Sequence, residues 1–590
     1  MIEPESSSKG ITGQETTATG IRLIREALPP RWKLYALSVI CMLGVAGFTG
    51  ALAYSTRLIV NDVFVAGDAK AAYSVALLVV AVAFGKAFSV YANAVVKTVF
   101  KRSVISHYQK LTFRRLVLQE TRFFADTHAS MQMAQLKLFG NACGSTVVGV
   151  TNTMFTDIMT VTVLFGVMFF QDPLMTLLCS MILPVIFLTV TLLSRRVREL
   201  ASAERALDGA YFAVGAETFE GIKTVKVYGL ESKSVGRFEG AVTALEDRML
   251  SIARITSATS PLMEFLGGIV IGLFVIYAAW QTMTFGKTPG EFTAFITAFL
   301  MAYQPASRLS KVWVDIQKSL VHTGRMYKIL DRPIPLQSNG AEVLAPGENS
   351  ISFEDVSFEY EKGAPALRNV SVDIKAGEKV AIIGRSGSGK STLIDLVLRF
   401  YDPTSGTIRI GGYNATDISN ESMRASTALI SQDVFLFDST ILENIRDGNA
   451  GASDEDVERA ARRAALTETL DNMPAGLQTV VGPNGSALSG GQKQRIGIAR
   501  ALVKNADICV FDEATSALDV ETEQQVLESV TKELENKTVL FVTHRPATLD
   551  YVDRILLLDD GRLVSIGTKE ELESGSEQYR ALLNIAMKGS

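Results

Sequence analysis

Six long apolar runs constrain this chain more than any other feature; they lie near 34–56, 72–95, 146–170, 174–194, 257–280 and 291–312. Each reaches the roughly 20 residues that a helix needs to cross a bilayer. Lipid offers no water to satisfy backbone N–H and C=O groups, so such runs are predicted to be helices. The third and fourth are joined by Gln171, Asp172 and Pro173, which read as a tight hairpin. Two polar-containing loops, 97–145 and 195–256, interrupt the pattern. Each is long enough for two helices that leave the membrane and return.

The charge of these loops predicts orientation. The first carries Lys97, Lys101, Arg102, Lys110, Arg114, Arg115, Arg122 and Lys137 against Glu120 and Asp126. The second opens with Arg195, Arg196 and Arg198, whereas the opposite loops hold only Arg57, Lys70 and Lys287 as basic residues. The positive-inside rule then places both long loops and both termini in the cytoplasm of a multi-pass protein of the cell (inner) membrane. Residues 1–20 are mostly Ser, Thr, Gly and Glu and are predicted to be a mobile tail, without the pattern of a signal peptide. Residues 21–33 set apolar side chains at helical spacing beside Arg22, Arg25, Arg31 and Lys33, an amphipathic segment expected at the membrane interface or as a short soluble helix.

After residue 313 the texture changes. Residues 332–350 are rich in Pro, Gly and polar residues and read as a linker between a membrane domain (21–331) and a second domain (351–585). From 351, short β-branched runs (VAIIG, STALIS, ICVFDE, TVLFVTH, RILLLDDG) alternate with helical patterns. That alternation marks an α/β domain with a mainly parallel sheet. Lys+Arg is 58 and Asp+Glu is 62, a net charge of −4 that offers no basic surface for nucleic acid. Cys41, Cys143, Cys179 and Cys509 are too widely spaced for a CxxC metal or redox motif. The mean hydropathy of +0.22 is what a membrane half and a soluble half give when averaged.

The second half carries the chemistry. Gly384, Arg385, Ser386, Gly387, Ser388, Gly389, Lys390, Ser391 and Thr392 fit GxxxxGK[ST] between a strand-like VAII and a helix-like TLIDLVLRF. Glycines let backbone N–H groups wrap phosphates, and a helix N-terminus adds its positive dipole end. Lys390 is expected to reach the β- and γ-phosphates of ATP, and the Ser391 hydroxyl to bind Mg²⁺. Asp512 and Glu513 end an apolar strand; Asp512 suits Mg²⁺, and Glu513 suits orientation or deprotonation of an attacking water. His544 follows another apolar strand and can hydrogen-bond a γ-phosphate or that water. His107, His128 and His322 read as structural.

Leu488, Ser489, Gly490, Gly491 and Gln492, followed by KQRIGIARAL, resemble the signature of ATP-binding cassette (ABC) proteins. Residues 351–585 match that nucleotide-binding domain in motif order. The resemblance implies that Tyr360 stacks on adenine. It implies that Gln432 senses Mg²⁺ and contacts the membrane domain, and that Ser516 to Asp519 form the D-loop. Ser489 and the two glycines would then hold the γ-phosphate of ATP bound by another subunit, so one cassette per chain implies a homodimer. Six spans before one cassette resemble a half-transporter of the type IV exporter fold. The expected fold is therefore an α-helical six-span membrane domain followed by an α/β P-loop nucleotide-binding domain. Phe123 with Phe124, and the stretch from Glu217 to Lys226, resemble the family's two long cytoplasmic loops, which carry coupling helices. Departures occur at Asp126 to Ala129, where a Gly is usual, and at Gly482, Pro483, Asn484 and Gly485, which replace Gly-Glu-Arg-Gly.

Lys86 and Glu264 fall inside spans and read either as charges in the translocation path or as parts of internal ion pairs. Arg308 and Lys311 either attract anionic lipid or obey the positive-inside rule. The resemblance implies ATP hydrolysis coupled to transport. The expected cargo is a lipid, a lipid-linked glycan or another hydrophobic or amphipathic compound. A multidrug exporter, a siderophore-type importer of the same fold and an ATP-gated channel or regulator are the alternatives. Lipid A flippases are close in layout, although their Arg-Pro-x-Lys near the sixth span reads Gln304, Pro305, Ala306 and Ser307 here.

Overall fold

The computed structural model describes residues 13–125, 129–180, 211–285, 288–334, 340, 342–347, 349–361 and 363–589. They fall into two compact units, a helical one built on 5–119 and 126–332, and an α/β one built on 120–125 and 333–590.

The helical unit contains α1 (Gly13–Ala27), α2 (Trp32–Leu58), α3 (Ala69–Val117), α5 (Ala129–Val148), α6 (Phe155–Gln171), α7 (Ile222–Val227), α8 (Glu231–Phe285) and α9 (Pro289–Leu330). The short α4 (Thr121–Ala125), which carries Phe123 and Phe124, groups with the α/β unit. Among the described residues, Pro29–Val65, Ala69–Val117 and Gln132–Gln171 are long and apolar enough to cross a membrane. The fifth and sixth apolar runs lie in α8 and α9. The fourth is described only as far as residue 180; the rest of it, Arg195, Arg196 and Arg198, and Asp126 to His128 lie outside the described residues. The hairpin at Gln171 is tight: α6 ends there, Asp172 is extended, and a helix resumes at Pro173 with Asp172 Oδ1 accepting from the Met175 N–H at 3.0 Å.

The bundle is turned inside out relative to a water-soluble protein. Leu77, Phe84, Phe88 and Tyr91 of α3 are exposed, while Ser38, Thr49, Ser89, Thr151, Asn152 and Thr160 are buried. Lipid tails are as apolar as leucine, so packing and interhelical hydrogen bonds, not burial of apolar surface, hold such helices together. At Gly50 a Cβ would stand 2.4 Å from Val163 Cγ1, so α2 and α6 meet at a distance that excludes a side chain.

The N-terminal expectation needs correcting. Residues 13–20, read as tail, are the first half of α1. The apolar stripe of α1 faces protein: Leu23 and Ala27 are fully buried in a cluster with Phe100, Tyr108, Phe139 and Met326. Around it, Arg22 forks onto Asp331 at 2.5 and 2.8 Å and lies 4.0 Å over the Tyr327 ring, whose hydroxyl donates to Glu26 at 2.6 Å.

The α/β unit has two sheets. One is antiparallel, in the order β2 (Ala364–Ile374), β1 (Ile351–Glu361), β4 (Ser405–Ile410), β5 (Tyr413–Asn414). The other runs β10 (Arg562–Gly567), β9 (Arg554–Asp559), β3 (Lys379–Gly384), β8 (Thr538–Val542), β7 (Ile508–Asp512), β6 (Thr427–Ile430). In it β9, β3, β8, β7 and β6 are all parallel. Each short β-branched run in the sequence is one of these strands, and β8 is buried along its whole length, as a central strand covered on both faces must be. Part of the stretch read as linker belongs to this unit. The Glu342 N–H donates to Asp417 O, Leu344 is buried in the core, and the buried Asn349 donates to Asp507 O at 3.2 Å.

Candidate nucleotide site

Parallel strands deliver all their carboxyl ends to one edge of the sheet, where open α/β folds bind ligands. At this edge β3 runs into the phosphate loop, β6 into Gln432, β7 into Asp512 and Glu513, and β8 into His544. Residues scattered over 160 positions of sequence thus meet for a topological reason.

The loop from Gly384 to Gly389 turns β3 into α10 (Lys390–Val397). A Cβ at Gly384 would stand 2.2 Å from the Leu558 carbonyl oxygen, and Gly389, at φ +100°, caps the helix in the left-handed region that favours glycine. Arg385, Ser386 and Gly387 are exposed, and Ser388 is buried with its hydroxyl unpartnered among the described residues. Lys390 is buried and folds its ammonium back onto the loop, donating to the carbonyls of Gly384 at 2.8 Å and Arg385 at 2.9 Å. Burial pushes its pKa down, and the charges of Glu513 and Asp512 push it back up. Burial first, and then the neighbouring Glu513, push the Asp512 carboxyl above the usual range, against the pull of Lys390. A cation and two carboxylates therefore share one partly dry site.

Glu513 takes a left-handed φ of +48°, and its N–H donates to Val542 O at 2.9 Å, locking β7 to β8. Its Oε1 lies 2.8 Å from His544 Nε2. Ser391 and Gln432 are exposed, and Thr392 is buried. Tyr360 donates its hydroxyl towards Thr392 and Asp395, each at 3.2 Å, and its ring packs edge-on against Phe358 and Tyr401. Burial pushes the Tyr360 hydroxyl up to about 12.

These groups fit a magnesium nucleotide. An orphaned hydroxyl at Ser388, a loop in which Gly384 and Gly389 leave no room for side chains, and a buried ammonium make a phosphate cradle. Ser391, Asp512 and Gln432 offer the hard oxygen donors that Mg²⁺ takes.

Ser489 caps α11 (Gly490–Lys504) in a reciprocal box with Gln492: the Ser489 N–H donates to Gln492 Oε1 at 2.9 Å, and the Gln492 N–H to Ser489 Oγ at 3.3 Å. Gly490 and Gly491 pack on Ala517 of the D-loop. Asp519 caps α12 (Val520–Glu533), and the Thr522 N–H bonded to its side chain holds that carboxyl below its usual range.

Sequence reading missed the residues that fix the D-loop. The buried Gln494 donates to Ser516 Oγ at 3.1 Å and accepts from the Ala517 N–H at 3.0 Å. Arg545 donates to Ser516 O at 2.8 Å, Leu518 O at 3.2 Å and the buried carboxylate of Glu523 at 2.5 Å. The signal was adjacency: Gln494 stands two residues past Gln492, and Arg545 directly follows His544.

Known proteins resemble this chain over most of its length. Residues 367–516 match the ABC transporter family and residues 35–305 the ABC transporter transmembrane region. An ABC transporter ATP-binding protein of Sinorhizobium fredii is 34% identical over 568 residues, 96% of this chain and 97% of that protein. The ATP-dependent lipid A-core flippase of Syntrophus aciditrophicus is 31% identical, covering 96% of this chain and 94% of its own. The structure of a bacterial Atm1-family ABC exporter with ATP bound superposes with a TM-score of 0.86 at 27% identity, over 94% of this chain and 99% of that one. With a helical membrane domain and an ATP-hydrolysing cassette in one polypeptide, the chain belongs to the ABC transporter family.

Proposed function

We propose that the protein is a homodimeric exporter of the inner membrane that spends ATP to move a lipid, lipid-linked glycan or similar amphipathic compound between leaflets. The observation that carries the ATPase half is the Glu513–His544 contact at 2.8 Å on the sheet edge that also holds Lys390 and Asp512. The cargo class rests on likeness to proteins named lipid A-core flippases.

In this reading the loop N–H groups, Ser388 and Lys390 hold the phosphates, and Tyr360 offers its ring to adenine. Glu513 orients the attacking water and takes its proton as the oxygen bonds to the γ-phosphorus and the β,γ-bridge bond breaks. His544 fixes the Glu513 carboxylate. Ser391, Asp512 and Gln432 hold Mg²⁺, which when bound neutralises phosphate charge. Ser489, Gly490, Gly491, Gln492 and Asp519 of each copy close over the ATP of the other, so binding draws two cassettes together and hydrolysis releases them. Both termini and the cassette lie on the cytoplasmic side.

The test is vanadate-sensitive ATP turnover and ATP-dependent movement of a labelled phospholipid, with the full chain in lipid vesicles. Turnover with lipid movement, both lost in Glu513→Gln, is expected. Turnover without movement of any lipid would sink the cargo assignment, and absence of turnover would sink the pump.

A further inference from the structure

A nucleotide has two ends, and they find their ground on two different sheets. The phosphate loop and α10 follow β3 of the parallel sheet, whereas Tyr360 stands near the end of β1 in the antiparallel sheet. A ligand that must touch both gains affinity when the two are already held at a fixed spacing. A side-chain contact joins them beside the site. The Tyr360 hydroxyl lies 3.2 Å from Thr392 Oγ1 and 3.2 Å from Asp395 Oδ2, both on α10.

Asp395 is the odd member of its helix. It stands between the buried Ile394 and Leu396 and is itself half-buried. Among the described residues no cation pairs with it, and Tyr360 is its side-chain hydrogen-bond partner. Burial pushes its carboxyl above the usual range, the Tyr360 hydroxyl pulls it back down, and the charge of Asp512 pushes it up again. A carboxylate that gives up water without gaining a cation costs stability, so packing alone would favour an apolar residue at this position. Thr392 and Asp395 are three apart, which puts both on one face of the helix, where the hydroxyl meets them.

The Tyr360 ring is held at its flank as well. Its centroid lies 4.9 Å from that of Phe358 and 5.2 Å from that of Tyr401, edge-on to each. The residue is only half-buried, so part of the ring stays open. Aromatic contacts of this kind fix where a ring sits but tolerate a range of tilts. A hydrogen bond at the tip adds the missing constraint, because it sets the direction in which the long axis of the ring points. Phe358 and Tyr401 therefore locate the ring, and the acceptor on α10 aims it.

We infer that Asp395 is a positioning residue for nucleotide binding, acting through Tyr360: it braces the ring that receives the base against the helix that carries Lys390. The Tyr360 hydroxyl donates to the carboxylate and can accept from the Thr392 hydroxyl, so one small group serves both partners. Asp395 does this without touching the nucleotide. A strong acceptor is what the position needs, and that need offsets the cost of a half-buried charge. The inference rests on the reading of Tyr360 as the adenine platform.

The test uses the full chain in lipid vesicles, with turnover measured against ATP concentration and with magnesium tripolyphosphate, which has no base, as a competitor. Asp395→Leu should raise KM for ATP about tenfold and move kcat by less than about twofold. The inhibition constant of tripolyphosphate should stay near wild type, because the phosphate cradle is untouched. Asp395→Asn keeps an acceptor for the hydroxyl and should restore a KM near wild type. Tyr360→Phe should raise KM as Asp395→Leu does, and combining the two should add little. A helix merely damaged by the substitution would lose tripolyphosphate as well as ATP. Equal weakening of both therefore overturns the inference, as does an unchanged KM in Asp395→Leu, or a double variant whose loss is the product of the single ones. Tyr360→Ala separates the inference from the reading beneath it, since loss of base stacking is expected to raise KM about tenfold or more. If Tyr360→Ala raises KM and Asp395→Leu does not, the brace is removed and the adenine platform stands. If Tyr360→Ala keeps the wild-type KM, the platform reading falls and takes the brace with it.

Discussion

Glu513 Oε1 and His544 Nε2 lie 2.8 Å apart, although 31 residues separate them in sequence. They end adjacent parallel strands, and the left-handed backbone of Glu513 turns its carboxylate out of the sheet towards the imidazole. A positioned carboxylate that accepts a proton in the transition state is worth roughly 10²–10⁴ in rate. Glu513→Gln is therefore expected to cut the rate of phosphate release by at least that lower bound while ATP binding persists. Steady-state release together with filter binding of labelled ATP checks this; turnover within about tenfold of wild type would remove Glu513 from the catalytic role.

Asp512 makes stability depend on pH. Its folded pKa is raised by burial and by Glu513, so the folded state holds that proton more tightly than the unfolded chain does. The sign follows: this group favours folding below its folded pKa, and the contribution is lost as pH rises through it. Asp512→Asn should raise the melting temperature of the nucleotide-free protein at neutral pH and flatten its dependence on pH above the usual carboxylate range. The same variant should lose most of the thermal stabilisation that Mg²⁺-ATP gives wild type. Melting curves from pH 5 to 8, with and without Mg²⁺-ATP, decide the matter.

Glu523 is buried and relies on Arg545 and on the Thr515 hydroxyl at 2.7 Å. Arg545→Ala leaves that carboxylate short of a partner and frees two D-loop carbonyls, a loss of about 1.5–3 kcal/mol for hydrogen bonds to a charged group. Denaturant unfolding of the variant should show it. Glu523→Gln with Arg545→Met, which removes both charges, should recover part of the loss. Equal destabilisation in the double variant would show that the charges are not coupled.

In α1 the apolar contact is expected to outweigh the ion pair. Leu23 is fully buried, whereas the Arg22 and Asp331 side chains are 44% and 52% exposed. Leu23→Ala should cost about 2–5 kcal/mol, and Arg22→Ala no more than about 1 kcal/mol, as exposed ion pairs do. Thermal unfolding in detergent ranks the two; the reverse order would mean that the fork onto Asp331, not the Leu23 contact, anchors the helix.

Much of this protein was legible without coordinates. Apolar runs of bilayer length admit only helices, and a glycine-rich loop between a β-branched strand and a helix admits few ligands, because both are local consequences of backbone hydrogen bonding. Lys390 and Ser391 were expected at a phosphate site for that reason, Asp512, Glu513 and His544 from their places at the ends of apolar strands, and Ser489 to Gln492 from their resemblance to the ABC signature. Tertiary structure decided what depends on partners far along the chain. It turned the supposed tail at 13–20 into part of a helix, because Leu23 and Ala27 find an apolar pocket built by residues 100 to 326. It drew Glu342, Leu344 and Asn349 out of the linker and into the sheet domain. It made Arg545 and Gln494 the holders of the D-loop, and it paired Arg308 with Asp157 across 151 positions. Periodicity reports which face of a helix is apolar or polar; which other face covers it, and which charge answers a buried one, follows only from how the helices and strands pack.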